Sequence, residues 1–348
     1  MASSPAFKTI TIKELHPTFG AEISGISDFE NITDSQLDEI RAAMTKYGVC
    51  VLRNTGLTDA AHVTFSQRLG GDLDNVSRYL TNGHKLRYAH IELFDAGNLD
   101  DSNQIVSLDS PRAHSNRGNR LFHVDSSFNP RRASFSLLRA VSLPPPSTGG
   151  NTDFADSRTA WDDLPESLRK ELLAGDFAGA HSIAHSRKLG SPDYYSHIDP
   201  VTAQPEPMSR HKIVQRHEPS GRMNLYIGAH LHHLEGNGMT AECSAELIEL
   251  LNRHATQRKY VMTVAWEQPG DMIIWDNRAV LHRAGEWTGE GTYVRDLRRT
   301  TVHDDSPTAW GLNPVGMAPP TMKGLVLSQP GSQPPAQHVV AQPEGIKV

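Results

Sequence analysis

Apolar positions along this chain recur at two spacings, and each predicts a kind of element. Between Asn31 and Gly48 the apolar residues Leu37, Ile40, Met44 and Tyr47 return every three or four positions, which predicts an amphipathic helix. Thr33 stands where a cap belongs, Gln36 follows as the partner of a capping box, and Gly48 ends the helix. The stretch LTDAAHVTFSQRLGG repeats the logic: Thr58 caps, Ala61, Phe65 and Leu69 form the stripe, and Gly70 closes it. A third helix is predicted through DSRTAWDDLPESLRKELLAG, with Pro165 in a first turn, and a fourth in SAELIELLNRHAT, capped by Ser244. Short apolar runs between them have strand character: VCVLRN, LFHVDSSF, ASFSLLRAV, a strand reaching Phe154, MNLYIG and TYVRDLRRTTV. KYVMTVAW and MIIWDN, joined by the turn EQPGD, are expected to form a hairpin. Two long polar stretches, about 72–120 and 185–222, are expected to be irregular, and loops of that length often carry function. This inventory predicts an all-β sandwich or jelly roll with helical decoration. One domain is expected through residue 303, followed by a Pro/Gly/Gln-rich tail, 304–348, that is loosely ordered.

Composition narrows the function more than the fold. Of 348 residues, 37% are hydrophobic and 21% charged, enough apolar material for a sizeable core. The net charge of −6 argues against a protein that grips the nucleic-acid backbone, which needs a basic face. It leaves room for a small anion held by a few local arginines. Two cysteines, Cys50 and Cys243, make neither a disulfide framework nor a zinc-finger spacing, and fit a reducing compartment. The opening residues hold no apolar core of signal-peptide length, and there is no apolar run of about eighteen residues. The expectation is a soluble, cytoplasmic protein with no membrane partner. Trp161 and Trp266 are expected in the core, the pairs at 100–101 and 304–305 solvated, and HLHHLEG a packed histidine cluster rather than a second metal site.

Two constellations could carry chemistry. In FHVDSSF, His123 and Asp125 stand two apart, so on a strand both point to one side. His282, at the end of an apolar strand in IIWDNRAVLHRAG, offers a third ligand. Two imidazoles and one carboxylate on one face of an octahedron leave three positions open, as ferrous iron needs to bind a cosubstrate and dioxygen together. A closed four-ligand zinc site leaves none. Taken singly each signal is weak, because His-x-Asp arises often by chance and the chain has 18 histidines. The second constellation is GGNTDF with YVRDLRRTTV. Arg295 and Arg299 lie four apart and on a strand face the same way; a buried guanidinium wants a planar anion. The bland alternative is a pair of surface arginines on an edge strand.

With these motifs in place the sequence resembles the taurine and 2,4-dichlorophenoxyacetate dioxygenases, which depend on Fe(II) and 2-oxoglutarate. LHPTFGAEISGI and LDEIRAAMTKYGVCVLRN resemble the family's opening segment, first helix and first strand. NRLFHVDSSF, GGNTDFAD, WDNRAVLHRA and RDLRRTTV resemble its site motifs, in family order, and the likeness runs from about Ile10 to about Val302. HVDSSF and RRTTV place it nearer the herbicide-degrading branch than the taurine branch. The resemblance implies a double-stranded β-helix, a distorted jelly roll with flanking helices. It implies that His123, Asp125 and His282 ligate iron, and that Thr152 and Arg295 hold the distal carboxylate of 2-oxoglutarate. Arg299 would face the anionic group of a substrate, and His217 and His230 fall where the herbicide branch has histidines in its substrate region. The implied reaction consumes O2 and 2-oxoglutarate, releases succinate and carbon dioxide, and oxidises a C–H bond. Hydroxylation, desaturation, cyclisation and C–N cleavage all remain open, whereas Asp125 argues against halogenation, which needs that ligand absent. The implied substrate is a small carboxylate, an amino acid or an aryloxy acid; the basic run PRR at 130–132 adds to that expectation. Relatives are commonly dimers or tetramers. Two rivals are a jelly roll that binds a metal without turnover and a zinc hydrolase on the same three ligands. The first should have lost a ligand or the arginine, and the second gives no reason for Thr152 and Arg295.

Overall fold

Two runs of the sequence, 49–52 and 272–275, are apolar throughout, and strands of that kind need cover on both faces. They receive it. The structure, a computed structural model, describes residues 7–79, 86–199 and 208–320. Its first strands are β1 (Thr11–Glu14), β2 (Ala21–Ser24), β3 (Val49–Leu52), β4 (Phe94–Asp95), β5 (Ala133–Ser142), β6 (Thr152–Asp156) and β7 (Ala178–His181). They continue as β8 (Ser209–Lys212), β9 (Val214–Arg216), β10 (Met223–Leu225), β11 (Leu231–Glu235), β12 (Val261–Val264), β13 (Met272–Asp276), β14 (Val280–Ala284) and β15 (Asp296–His303). The α-helices are α1 (Asp34–Tyr47), α2 (Asp59–Gly70), α3 (Pro111–Arg117), α4 (Ser157–Asp162), α5 (Glu166–Gly175), α6 (Ile183–Gly190) and α7 (Ala241–Ala255).

Seven strands form the large sheet in the order β1-β2-β3-β13-β5-β15-β4, and β12-β6-β14 form a second, smaller sheet. One face of β3 and β13 carries Cys50, Leu52, Met272 and Ile274, which pack with Leu37, Ile40, Met44 and Phe65 of α1 and α2. The other face carries Val49, Val51, Ile273 and Trp275, which pack with Phe154, Met262 and Val280 of the smaller sheet. Burial on both faces is why these strands are apolar without alternation. A third cluster joins Trp161 of α4 and Leu251 of α7 to Leu225 and Leu231. The capping box of α1 forms as its residues predict, with Gly48 left-handed at its end (φ 71°).

Several expectations are corrected. The hairpin of KYVMTVAW and MIIWDN does not form: β12 pairs with β6 and β13 with β3 and β5, so EQPGD crosses between sheets. Buried Asp271 fixes that crossing, accepting from Arg53 Nη1 (2.7 Å) and the Asn54 N–H (3.1 Å). The long helix predicted over 156–175 is two, because Pro165 serves as the N-cap of α5 rather than sitting inside a first turn. Thr240 caps α7, while Ser244 lies inside it and accepts from the Leu234 N–H (2.8 Å). Gly71, not Gly70, ends α2. The polar stretches hold α3, capped by Ser110 with Pro111 following, and α6.

Asp304 is fully buried rather than solvated: Arg132 Nε donates to its Oδ2 (2.7 Å) and Arg278 Nη1 to its Oδ1 (3.0 Å). The PRR arginines are engaged in the same region, Arg131 on the Asp304 carbonyl and Arg132 on Asp304, Gln215 and Thr308, so they are not a free anion patch. The tail expectation from residue 321 onward falls outside the described residues. Among the described residues no helix is long and apolar enough to cross a membrane.

Candidate active site

LFHVDSSF is not a strand. His123 makes a single bridge, donating its N–H to the His282 carbonyl (3.0 Å) and accepting from the His282 N–H (2.9 Å). The chain then turns, with Ser126 left-handed (φ 58°) and the Asn129 N–H closing on the Ser126 carbonyl. This bend still brings the carboxylate to the imidazoles. His123 Nε2 lies 3.8 Å from Asp125 Oδ1, and His282 Nε2 lies 3.6 Å from Asp125 Oδ2. One ligand atom from each of the three fits within 4.8 Å of the other two, and all three residues are buried.

Neighbours hold each ligand. The His123 Nδ1–H donates to the Leu121 carbonyl (2.7 Å), which leaves Nε2 with its lone pair toward Asp125. His282, on β14, packs its ring 4.6 Å from Trp275. Ser136 Oγ donates to Asp125 Oδ2 (2.8 Å). Asn277 accepts from the Asp125 N–H (3.2 Å) and from Trp275 Nε1 (3.1 Å), and its amide donates to Ser136 Oγ (3.0 Å). Burial lowers the pKa of His123, and that of His282 well below the usual range, so both rings are neutral bases at pH 7. Burial opposes the charge on Asp125, but Arg299 and the two imidazoles outweigh it and lower its pKa to about 2. A neutral, neutral, anionic donor set of this kind suits a divalent first-row metal.

The other predicted residues fall into two groups. Arg299 Nη1 donates to Asp125 Oδ1 (2.7 Å), its guanidinium lies over the Phe94 ring (4.7 Å), and its buried Nε has no partner. His230 stands edge-on to His123 (5.3 Å between centroids) and to Phe128 (4.9 Å). It arrives there because Gly228 (φ 113°) lets the chain touch the ligand segment: a Cβ on it would lie 2.9 Å from both His123 Cα and the Phe122 carbonyl oxygen. Thr152 opens β6, opposite Ala284, two residues past His282. Arg295 Nη2 donates to the Gly150 carbonyl (2.9 Å), two residues before Thr152, and burial pulls its pKa down to about 10. Among the described residues it forms no ion pair, although the charge of Glu290 opposes that shift, and its guanidinium lies against Gly150, in the segment that leads into Thr152. His217 is not brought to the site. It is fully buried, its Nε2 bonded to Asp276 (3.0 Å) and its Nδ1 to Ser220 (2.6 Å).

A cavity of about 440 Å³ opens on His123 and Asp125 of the triad. Its floor holds His123, Asp125, His230 and Arg299, and its walls come from 86–119 and from Ile183, Arg187 and Tyr195. The first polar stretch thus supplies much of the wall, and the second contributes Arg187 and Tyr195. Ser136, Asn277 and Asn98, which sequence reasoning passed over, turn out to support the site. Ser136 and Asn277 sit in strands and turns already singled out, but no local pattern marks them.

The comparisons agree with this geometry. The profile of the taurine catabolism dioxygenase TauD, TfdA family matches residues 11–301. An alpha-ketoglutarate-dependent 2,4-dichlorophenoxyacetate dioxygenase of Burkholderia sp. (strain RASC) is 34% identical over 84% of this chain and 94% of its own. A (S)-phenoxypropionate/alpha-ketoglutarate-dioxygenase of Sphingobium herbicidovorans is 30% identical over 82% of this chain and 91% of its own. Among solved structures, AAD-2 in complex with Mn(II) and N-oxalylglycine superposes with a TM-score of 0.73 at 32% identity, covering 86% of this chain and 99% of that one. A match of this extent, on a chain that gathers two histidines and an aspartate at the foot of a cavity, makes the protein a member of the taurine catabolism dioxygenase TauD, TfdA family.

Proposed function

We propose that this protein oxidises a C–H bond of a small aryl or aryloxy carboxylate. It is a 2-oxoglutarate-dependent dioxygenase whose cofactors are Fe(II), 2-oxoglutarate and O2. The observation that carries the substrate reading is the partly apolar cavity, lined by Phe94, Phe128 and Tyr195 together with Arg87, Arg112, Arg187 and Arg299, of which Arg299 is bonded to Asp125 of the metal triad. The names of the two relatives above point the same way. Bound iron with 2-oxoglutarate and O2 supplies an oxidant that removes hydrogen from carbon, with succinate and carbon dioxide as co-products.

The chain's own residues supply position. His123, Asp125 and His282 hold the metal, each aimed by a neighbour. Thr152 and Arg295 receive the distal carboxylate of 2-oxoglutarate, whose charge relieves an otherwise enclosed guanidinium. Arg299, which lines the cavity beside Asp125, receives the substrate carboxylate with its guanidinium, while Phe94 and Phe128 fix the ring. His230 packs on His123 and bounds the same space. Under this reading the large sheet and β12-β6-β14 are the two walls of a double-stranded β-helix.

Succinate release with Fe(II), 2-oxoglutarate and ascorbate, across aryloxy acids, aryl acids and amino acids, tests it. Oxygen-dependent succinate above the uncoupled level is expected with aryl or aryloxy acids. Stimulation by amino acids alone sinks the substrate assignment, and turnover without oxygen sinks the reaction class. Arg295→Ala should raise the 2-oxoglutarate requirement at least tenfold. Arg299→Ala should damage substrate use more than uncoupled succinate formation.

A further inference from the structure

The cavity wall and the cosubstrate arginine meet at one residue. Asn98 is buried, and its polar groups bond to the chain around Arg295 and to the wall. Its Nδ2 donates to the Tyr293 carbonyl (2.9 Å) and its Oδ1 accepts from the Arg295 N–H (2.8 Å). Its own N–H donates to the Arg295 carbonyl (3.0 Å), and its carbonyl accepts from the N–H of Val106 (2.9 Å), a cavity-lining residue. Next to it Gly97 admits no side chain, since a Cβ would lie 2.6 Å from the Arg295 carbonyl oxygen. Arg295 itself precedes β15, whose ladder begins only at Asp296. The backbone from which this long side chain springs is therefore held by Asn98 rather than by the sheet.

We infer that Asn98 is a positioning residue for the cosubstrate: it anchors the 293–295 backbone so that the Arg295 guanidinium meets the distal carboxylate of 2-oxoglutarate, and through Val106 it ties that aim to the substrate cavity wall. The inference rests on the assignment of Arg295 made above. A primary amide is needed because it sets one donor beside one acceptor; a carboxylate keeps only the acceptor, and an alanine neither. A loose anchor lets the far end of the arginine swing, and small misplacements of a charged anchor cost much of its effect.

The test is calorimetric binding to the Mn(II)-loaded protein under argon, with two ligands. 2-Oxoglutarate has the distal carboxylate; oxalate chelates the metal but lacks it. Asn98→Ala should weaken 2-oxoglutarate about tenfold and leave oxalate within about twofold, with Asn98→Asp in between. Arg295→Ala should lose more, and the double variant should bind 2-oxoglutarate no worse than Arg295→Ala alone, because Asn98 acts through that residue. If Asn98→Ala does not fold, Asn98→Asp carries the same comparison. Equal losses for both ligands, full 2-oxoglutarate affinity in the folded variant, or losses that add in the double variant would each overturn the role of Asn98. Undiminished 2-oxoglutarate binding by Arg295→Ala would instead overturn the assignment of Arg295, and this inference with it.

Discussion

A histidine binds a metal only as a neutral ring with a lone pair pointed at it. Here the tautomer of His123 is chosen by the Leu121 carbonyl, and the neutrality of both rings by burial. Asp125 is aimed from two sides, by Ser136 at Oδ2 and Arg299 at Oδ1. Removing any of the three ligands should abolish turnover and also a stability effect that needs no catalysis. Mn(II) at a hundred times its Kd should stabilise the protein by about 2.7 kcal/mol. His282→Ala should show no such rise in a thermal melt, and a rise of wild-type size would show that the metal sits elsewhere. Ser136→Ala keeps all three ligands but frees one carboxylate oxygen, so Mn(II) affinity should fall about tenfold; calorimetry reads this directly.

Elements bring these residues together through contacts that local sequence hides. The strand expected at LFHVDSSF would have placed His123 and Asp125 on one side by alternation. In the structure a single bridge to β14 and a turn do so instead. The apolar flanks of the motif look like a strand because they are buried, and burial alone does not distinguish a strand from a packed turn. The same ambiguity produced the false hairpin: β12 alternates and β13 does not, yet both are apolar and adjacent in sequence. Gly228 makes one of the close contacts. Gly228→Ala sets a side chain at a left-handed φ and against His123, so a loss of about 2 kcal/mol or more is expected in urea unfolding. An unchanged midpoint would mean that the 226–230 segment packs otherwise.

At the scale of the molecule, a buried ionic network ties residues just beyond β15 to the sheets. Asp276 pairs with Arg278 and His217, and Asp304 with Arg132 and Arg278. Burial opposes both carboxylate charges. Arg278 at Asp276 and Arg132 at Asp304 outweigh it, so both pKa values lie below the usual range. Groups with depressed folded pKa values contribute stability that is complete above the unfolded value of about 3.9 and is lost as pH falls through and below it. The protein should therefore lose stability steeply below about pH 4. Asp304→Asn should flatten part of that acid limb and cost about 3 kcal/mol at pH 7, because Arg132 is left buried with less than its charge partner. Denaturant titrations from pH 3 to 7 check both, and an acid limb equally steep in the variant would remove Asp304 from the account.

The sequence by itself determined the chemistry on offer and the elements whose signals are local. Two histidines, an aspartate, Thr152 and two arginines appear in a telling order, and α1, with its capping box and closing glycine, is legible because its caps lie within four residues. Only the tertiary structure decided which of these groups meet. His123 and His282 become neighbours by exchanging backbone hydrogen bonds across a separation of 159 positions, as their residue numbers show. His217, one residue among many histidines, goes instead to Asp276, and Asn98, in a polar stretch without pattern, comes to hold Arg295. The physical reason is range: caps and periodicity act over a few residues, whereas a site is made by burial and hydrogen bonds between segments that only the folded sheets bring into contact.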